Sequence, residues 1–231
     1  MSCLNVDPIG LVDRAIRQSA LTHGIQGRLL LAISGGLDSM VLLDALARAR
    51  DLGVIPRLTL HAVHVHHGLS ENADDWMSHV RRECQKRDVS FQGCRVTLQK
   101  NAQESLEELA RHARYNAFAE VLTQSSSHLL VLAHHMDDQA ETLLLQLLRG
   151  AGPRGLSGMA EYPSSPTKLC IWRPLISVSR KDLLNYSNAR NISFVHDESN
   201  EHLHFKRNFL RHRVFPVIEE AFPAYRKTFA R

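Results

Sequence analysis

Cysteine is scarce and scattered: Cys3, Cys84, Cys94 and Cys170 form no CxxC pair. That excludes a disulfide framework and gives no sign of a structural zinc site, so reduced thiols and a cytoplasmic setting are expected. Also missing is any apolar run of the roughly 20 residues needed to cross a bilayer, so no membrane association is expected. The opening MSCLNVDPIG lacks the basic stretch and apolar run of a secretory signal. What is present is ordinary for a globular protein: 231 residues, 44% hydrophobic and 23% charged. That length suits one sizeable domain, or one domain with an appended element.

The net charge of +4 is unevenly placed. From His202 onward, Lys206, Arg207, Arg211, Arg213, Arg226, Lys227 and Arg231 face only Glu219 and Glu220, a net +5 that leaves −1 for the preceding residues. Basicity confined to one end suggests a polyanion contact, with a solvated basic helix as the other reading of charge alone.

Asp7-Pro8 is a helix start, Ile9, Val12 and Ile16 recur at helical spacing, and Gly24 closes the element. Residues 28–33 (RLLLAI) read as a buried strand, residues 39–50 as a helix and residues 58–65 (LTLHAVHV) as a second strand. The alternation continues: helix over about 72–87, extended chain over 91–98, helix over about 105–122, strand over 129–133, then a helix through Leu148. Residues 150–167, rich in Gly, Pro and Ser, read as a long loop, followed by a strand over 171–175 and a helix over 180–189. Strands apolar throughout and alternating with helices predict an α/β fold with a doubly wound, mainly parallel sheet of five strands covered on both faces.

In such sheets ligands bind at the carboxyl ends of strands, where helix N-termini point into the crevice. Ser34, Gly35, Gly36, Leu37, Asp38 and Ser39 (SGGLDS) sit at such a junction. The two glycines permit a sharp turn and close backbone approach, the amides form an anion nest, and the two serines add hydroxyls. The Lys of a GxxxxGK[ST] loop and the spacing of GxGxxG are both missing, so neither of those sites fits. A carboxylate beside phosphates repels them unless it holds a magnesium ion, and Asp38 is expected to do so. As a bland alternative, Asp38 merely complements the helix dipole.

SGGLDS resembles the pyrophosphate loop of the N-type ATP pyrophosphatases, which adenylate an oxygen and release pyrophosphate with the aid of Mg2+. Three further segments narrow the resemblance: residues 64–69 (HVHHGL); residues 133–142 (AHHMDDQAET), running into Leu148, Arg149, Gly150 and the loop 152–159 (GPRGLSGM); and residues 197–200 (DESN) with Arg207, Asn208 and Arg211. Together they resemble the tRNA(Ile)-lysidine synthetases, in order from the phosphate loop almost to the last residue. The resemblance implies an adenine nucleotide α-hydrolase-like fold, with residues 1–200 as catalytic domain and 201–231 as a basic helical extension leading to C-terminal domains not seen in this sequence. It implies ATP, L-lysine and an isoleucine tRNA with a CAU anticodon as partners. In that chemistry ATP adenylates O2 of the wobble cytidine, and the ε-amino group of lysine then attacks C2 as AMP leaves.

Residue types suit this. Asp137 and Glu141 are four apart on a helix and Asp138 and Glu141 three apart, so a carboxylate cluster there can hold an ammonium and take its proton. By resemblance Asp137 is the first choice for lysine, while Asp138 fits equally well as an acid favoured at a helix N-terminus. Arg114 matches an arginine placed near nucleotide and base, suited to neutralising developing charge. Arg207 and Arg211, four apart, are expected to clamp RNA phosphates or, for Arg207, the nucleotide. His64 to His67 are expected to line the adenine pocket rather than bind zinc, although His61 and His64 also fit an ordinary buried strand. Glu198 stands where the family often has Pro. An RNA thiolation enzyme, which relies on reactive cysteines, and a non-catalytic nucleotide sensor are the competing readings.

Overall fold

The computed structural model describes residues 7–68, 70–97, 106–152, 155–162 and 169–230. Cys3, Leu69, Leu98, Ser105, Pro153, Arg154, residues 163–167 and Arg231, which belong to segments named above, lie outside the described residues.

Among the described residues, five strands form one parallel sheet in the order β3-β2-β1-β4-β5. They are β1 (Arg28–Ala32), β2 (Thr59–His66), β3 (Ser90–Arg95), β4 (Leu129–Val131) and β5 (Ile171–Trp172). Each crossover carries a helix: α2 (Leu37–Asp51), α3 (Ala73–Lys86), α4 (Leu106–Gln124) and α5 (Met136–Leu148), with α1 (Pro8–His23) before β1 and α6 (Arg180–Arg190) after β5. The doubly wound parallel sheet read from the sequence is therefore present. Alternation along β1 shows why its run is apolar throughout: Leu29 and Leu31 pack with α1, α2, α3 and α6, whereas Leu30 packs with Phe118 and Val121 of α4.

Local chemistry sets the boundaries. Asp7 accepts from the Ile9 amide at 3.1 Å, Pro8 occupies the first helical turn, and Gly24 closes α1 with φ of 62°. β5 stops at Trp172, short of the expected 175, because Pro174 has no amide and the chain turns through Ile176 N–H to Arg173 O, 3.2 Å. The start of α2 lies at Leu37, two residues before the expected Ser39, so Asp38 belongs to its first turn.

After α6 the chain forms a 3-10 turn (Glu198–Glu201), α7 (Lys206–Phe209), a π-helical turn (Leu210–Val214), α8 (Phe215–Ala221) and α9 (Tyr225–Phe229). This basic segment folds back on α5, where Leu210, Phe215 and Tyr225 bury against Ala140. A buried ion network steadies α2: Asp44, 5% exposed, accepts from Arg87 Nε (3.1 Å), Tyr186 Oη (2.9 Å) and Arg190 Nε (3.0 Å), tying α2 to α3 and α6.

Candidate active site

The strand order reverses between β1, whose crossover leads to β2, and β4, its neighbour on the other side; the loop Ser34–Ser39 and the start of α5 meet there. Gly35 makes the turn, with φ of +95°, and its carbonyl accepts from the Val195 amide at 3.0 Å. A Cβ on Gly35 would come within 3.0 Å of Val195 and 3.2 Å of Val80, so this glycine is demanded by the fold. Gly36 differs: its φ of −72° is open to any residue, and an added Cβ would meet Ser34 Oγ at an ordinary 3.6 Å. Among the described residues, room for a side chain remains at Gly36.

The serines hold the loop in shape. Ser39 Oγ donates to Gly36 O (2.9 Å) and accepts from the Gly35 amide (3.1 Å), while Ser34 Oγ accepts from the Gly36 amide (3.3 Å). No described side chain caps α2, and its first-turn amides face the same crevice with the positive end of a 15-residue helix behind them. Leu37 is the anchor, buried in the core.

Asp38 projects from this turn towards α5. Its Oδ2 lies 3.5 Å from His135 Nε2, and its Oδ1 is buried without a hydrogen-bond partner among the described residues. Burial pushes the Asp38 carboxyl up, but His135, with Arg180 and Arg211 beyond, outweighs it and holds the group below the usual carboxylate range. His135 is 1% exposed and caps α5: its amide donates to Asp138 Oδ2 (3.0 Å) and its Nδ1 accepts from the Asp138 amide (3.4 Å). In the neutral ring Nδ1 is thereby the acceptor, which leaves the single proton on Nε2 facing Asp38. Burial resists a second proton, yet Asp138, Asp38 and Asp137 draw it in and raise the imidazole to about 9, at the expense of the cap bond. Glu141, also 1% exposed, binds Arg211 through Oε1 at 2.8 and 2.7 Å, and its Oε2 is buried without a described partner. Burial pushes its carboxyl up more strongly than Arg211 lowers it. Arg211 also lies 3.9 Å from Asp138 Oδ1. Asp38, His135, Asp138, Arg211 and Glu141 thus form one continuous array.

Asp137 borders the array, its Oδ2 3.8 Å from His135 Nδ1, but its hydrogen bonds go to other elements. Its Oδ1 accepts from Arg226 Nε of α9 at 2.7 Å and its Oδ2 from the Arg180 amide of α6 at 2.8 Å. Arg207 donates to Thr142 Oγ1 at 3.1 Å, so Arg207 and Arg211 both turn inward to α5. His64, 4% exposed, donates from Nδ1 to Ile33 O at 2.8 Å, and burial lowers its basicity. Beside it, burial and then the charge of Arg114 push His67 down to about 4, which puts the α4 arginine near the carboxyl end of β2. His134 is likewise pushed down to about 4 by burial and takes a hydrogen bond from Arg173 Nε at 3.2 Å. Among the described residues no group of three or more His, Cys, Asp or Glu is arranged to hold a metal. No helix among them is long and apolar enough to cross a membrane.

His135 is the member of the array that residue spacing did not single out; Asp138 was paired with Glu141 by spacing, but not with His135. An H-x-x-D capping pair was the available signal, since each side chain satisfies the other's backbone amide, but histidine is an unusual cap.

Known proteins resemble the chain in both sequence and fold. It is 46% identical over 202 residues to the tRNA(Ile)-lysidine synthase of Chromobacterium violaceum, covering 87% of this chain and 45% of that protein. With the protein of the same name from Vibrio atlanticus it shares 44% identity over 217 residues, covering 94% and 45%. The chain therefore spans less than half the length of these curated relatives. In fold it resembles the U34-tRNA thiolase NcsA from Methanococcus maripaludis, with a TM-score of 0.78 at 15% identity over 96% of this chain and 77% of that one. The profile of the family described as PP-loop domain matches residues 12–218. The chain belongs to the PP-loop domain family.

Proposed function

We propose that this protein uses ATP to attach free L-lysine to C2 of the wobble cytidine in an isoleucine tRNA with a CAU anticodon, releasing AMP and pyrophosphate. The observation that carries the reading is the meeting of an amide-rich turn with two buried carboxylate oxygens, Asp38 Oδ1 and Glu141 Oε2, that have no described partner. A buried anionic oxygen left unpaired is costly, and each is relieved by a cation. The names of the relatives support the same substrate.

In this reading the triphosphate lies against the amides of Gly35, Gly36 and the first turn of α2, exchanging the serine hydroxyls for phosphate oxygens. Asp38 Oδ1 fits one ligand position of Mg2+, which when bound would screen the phosphate charge. Cytidine O2 bonds to the α-phosphorus as the bond to pyrophosphate breaks. The lysine ammonium sits by Glu141 and Asp138; burial raises Glu141, which suits it to accept the ammonium proton. The freed amine bonds to C2, the C2–O2 bond breaks, and AMP departs with O2. Arg114, near the end of β2, is assigned to neutralising charge on the nucleotide and base, and His64 to the wall of the adenine pocket. Residues 1–200 form the catalytic unit and 201–231 its basic extension.

Asp137, already engaged by Arg226 and the Arg180 amide, is assigned to holding α6 and α9 rather than to first contact with lysine. A sulfur-transfer reading finds no support in Cys84 or Cys94: burial pushes Cys84 up to about 12 and raises Cys94 as well, the reverse of an activated thiolate. The deciding experiment incubates the protein with isoleucine tRNA transcript, ATP and labelled lysine. Stable label in the RNA, dependent on ATP, is the expected result; pyrophosphate release that needs a sulfur donor and ignores lysine would reject the reading.

A further inference from the structure

With Arg207 and Arg211 turned inward, the outward surface of the same segment has no assigned task. From His202 to Ile218 the sequence contains no acidic residue. Lys206 and Arg213 are exposed. Exposed rings accompany them: His202 and His204 stack with centroids 5.6 Å apart and planes at 28°, and the half-buried Phe205 ring lies 4.0 Å from His204. Phe209, one turn beyond, donates its amide to Phe205 O at 3.0 Å and leaves 48% of its own surface in water.

These rings stand on a fixed base. The buried Asn208 donates from Nδ2 to Ser199 O (2.8 Å) and to His202 O (3.1 Å). His212 donates from Nε2 to Asn200 O at 3.0 Å. The loop is thus pinned from beneath at three carbonyls, so little order remains to be gained on binding.

We propose that the outward face of residues 202–213 is a stacking platform for single-stranded RNA. His202, His204 and Phe209 receive unpaired bases, while Lys206 and Arg213 meet the phosphates. Glu201 borders the platform at its first residue, and the cations lie at its centre and far end; exposed π-faces beside cations are what an unpaired RNA loop binds, whereas a duplex hides its base faces. The platform also lies beside the reaction centre: Arg211, on the inner side of the same segment, reaches Glu141. This inference rests on the RNA substrate proposed above and adds how the loop is held while one base reacts.

The test is fluorescence anisotropy with a labelled anticodon stem-loop and a blunt RNA duplex of equal length, run beside lysine transfer to the whole transcript. The wild-type protein is expected to prefer the stem-loop. His204→Ala and Phe209→Ala should each weaken it about tenfold with the salt slope kept, and His204→Phe should restore binding. Joint replacement of Lys206 and Arg213 by Ala should reduce the slope of log K against log salt by about 1.4, at roughly 0.7 for each phosphate contact. All of these positions are exposed, so melting temperatures should not move. Stem-loop binding unchanged in His204→Ala and Phe209→Ala, or a preference for the duplex, would overturn the platform, and if lysine transfer persists the proposed reaction still stands. Ring-dependent binding without lysine transfer would instead keep the platform and reject the reaction.

Discussion

Asp38 and Glu141 each use one carboxylate oxygen within the protein and hold the other in reserve. Removing the Asp38 carboxylate takes away both the proposed cation ligand and one counter-charge of His135. Pyrophosphate release by Asp38→Ala should fall by at least about a hundredfold; release near the wild-type rate would remove Asp38 from the chemistry. For lysine the two helix acids should separate. Glu141→Gln is expected to raise KM for lysine by about thirtyfold, in line with loss of one member of a buried charge pair. Asp137→Ala should instead lower the melting temperature, by loosening Arg226 and the start of α6, with a smaller change in that KM. Steady-state kinetics at varied lysine, beside thermal melts, distinguishes them; the opposite ordering would return lysine to Asp137. Sequence spacing had no means of choosing here. On a bare helix Asp137 and Asp138 are both one turn from Glu141, and only the packing of α6 and α9 decides which carboxylate is taken by Arg226 and which faces Arg211.

At the scale of elements, the strands and helices were legible because burial on both sheet faces imposes apolar runs, and Asp7, Pro8 and Gly24 mark helix ends directly. What was not legible joins distant positions. Asp44 and Tyr186 are hydrogen-bonded across 142 residues, and neither has a local signature. Arg211, which turns inward to Glu141, sits in a π-helical stretch, a feature propensity does not encode. The Asp44 network yields a stability prediction. Asp44→Ala leaves Arg87, Arg190 and Tyr186 without their common acceptor and should cost about 3–5 kcal/mol. Burial alone would raise the Asp44 carboxyl, but Arg190, Tyr186 and Arg87 hold it below the usual range. Its contribution is therefore complete above its unfolded pKa of about 3.9 and is lost as pH falls through the lower folded value. Denaturant melts of wild type and variant should differ by a constant amount near neutrality and converge only in acid; a gap that closed between pH 6 and 8 would contradict this account.

Over the whole molecule, the sheet sets the proposed nucleotide turn at its centre, α5 carries the acids to one side, and the basic C-terminal helices close over them. This arrangement makes one position unusually informative. Gly35 is demanded by the fold, whereas Gly36 has room for a methyl group within the protein and faces the proposed triphosphate. Calorimetric titration of Gly36→Ala with ATP and Mg2+ therefore isolates the central claim from folding. The account predicts a melting temperature like that of the wild type and ATP binding weakened at least about tenfold. An unaltered ATP affinity in that variant would contradict it.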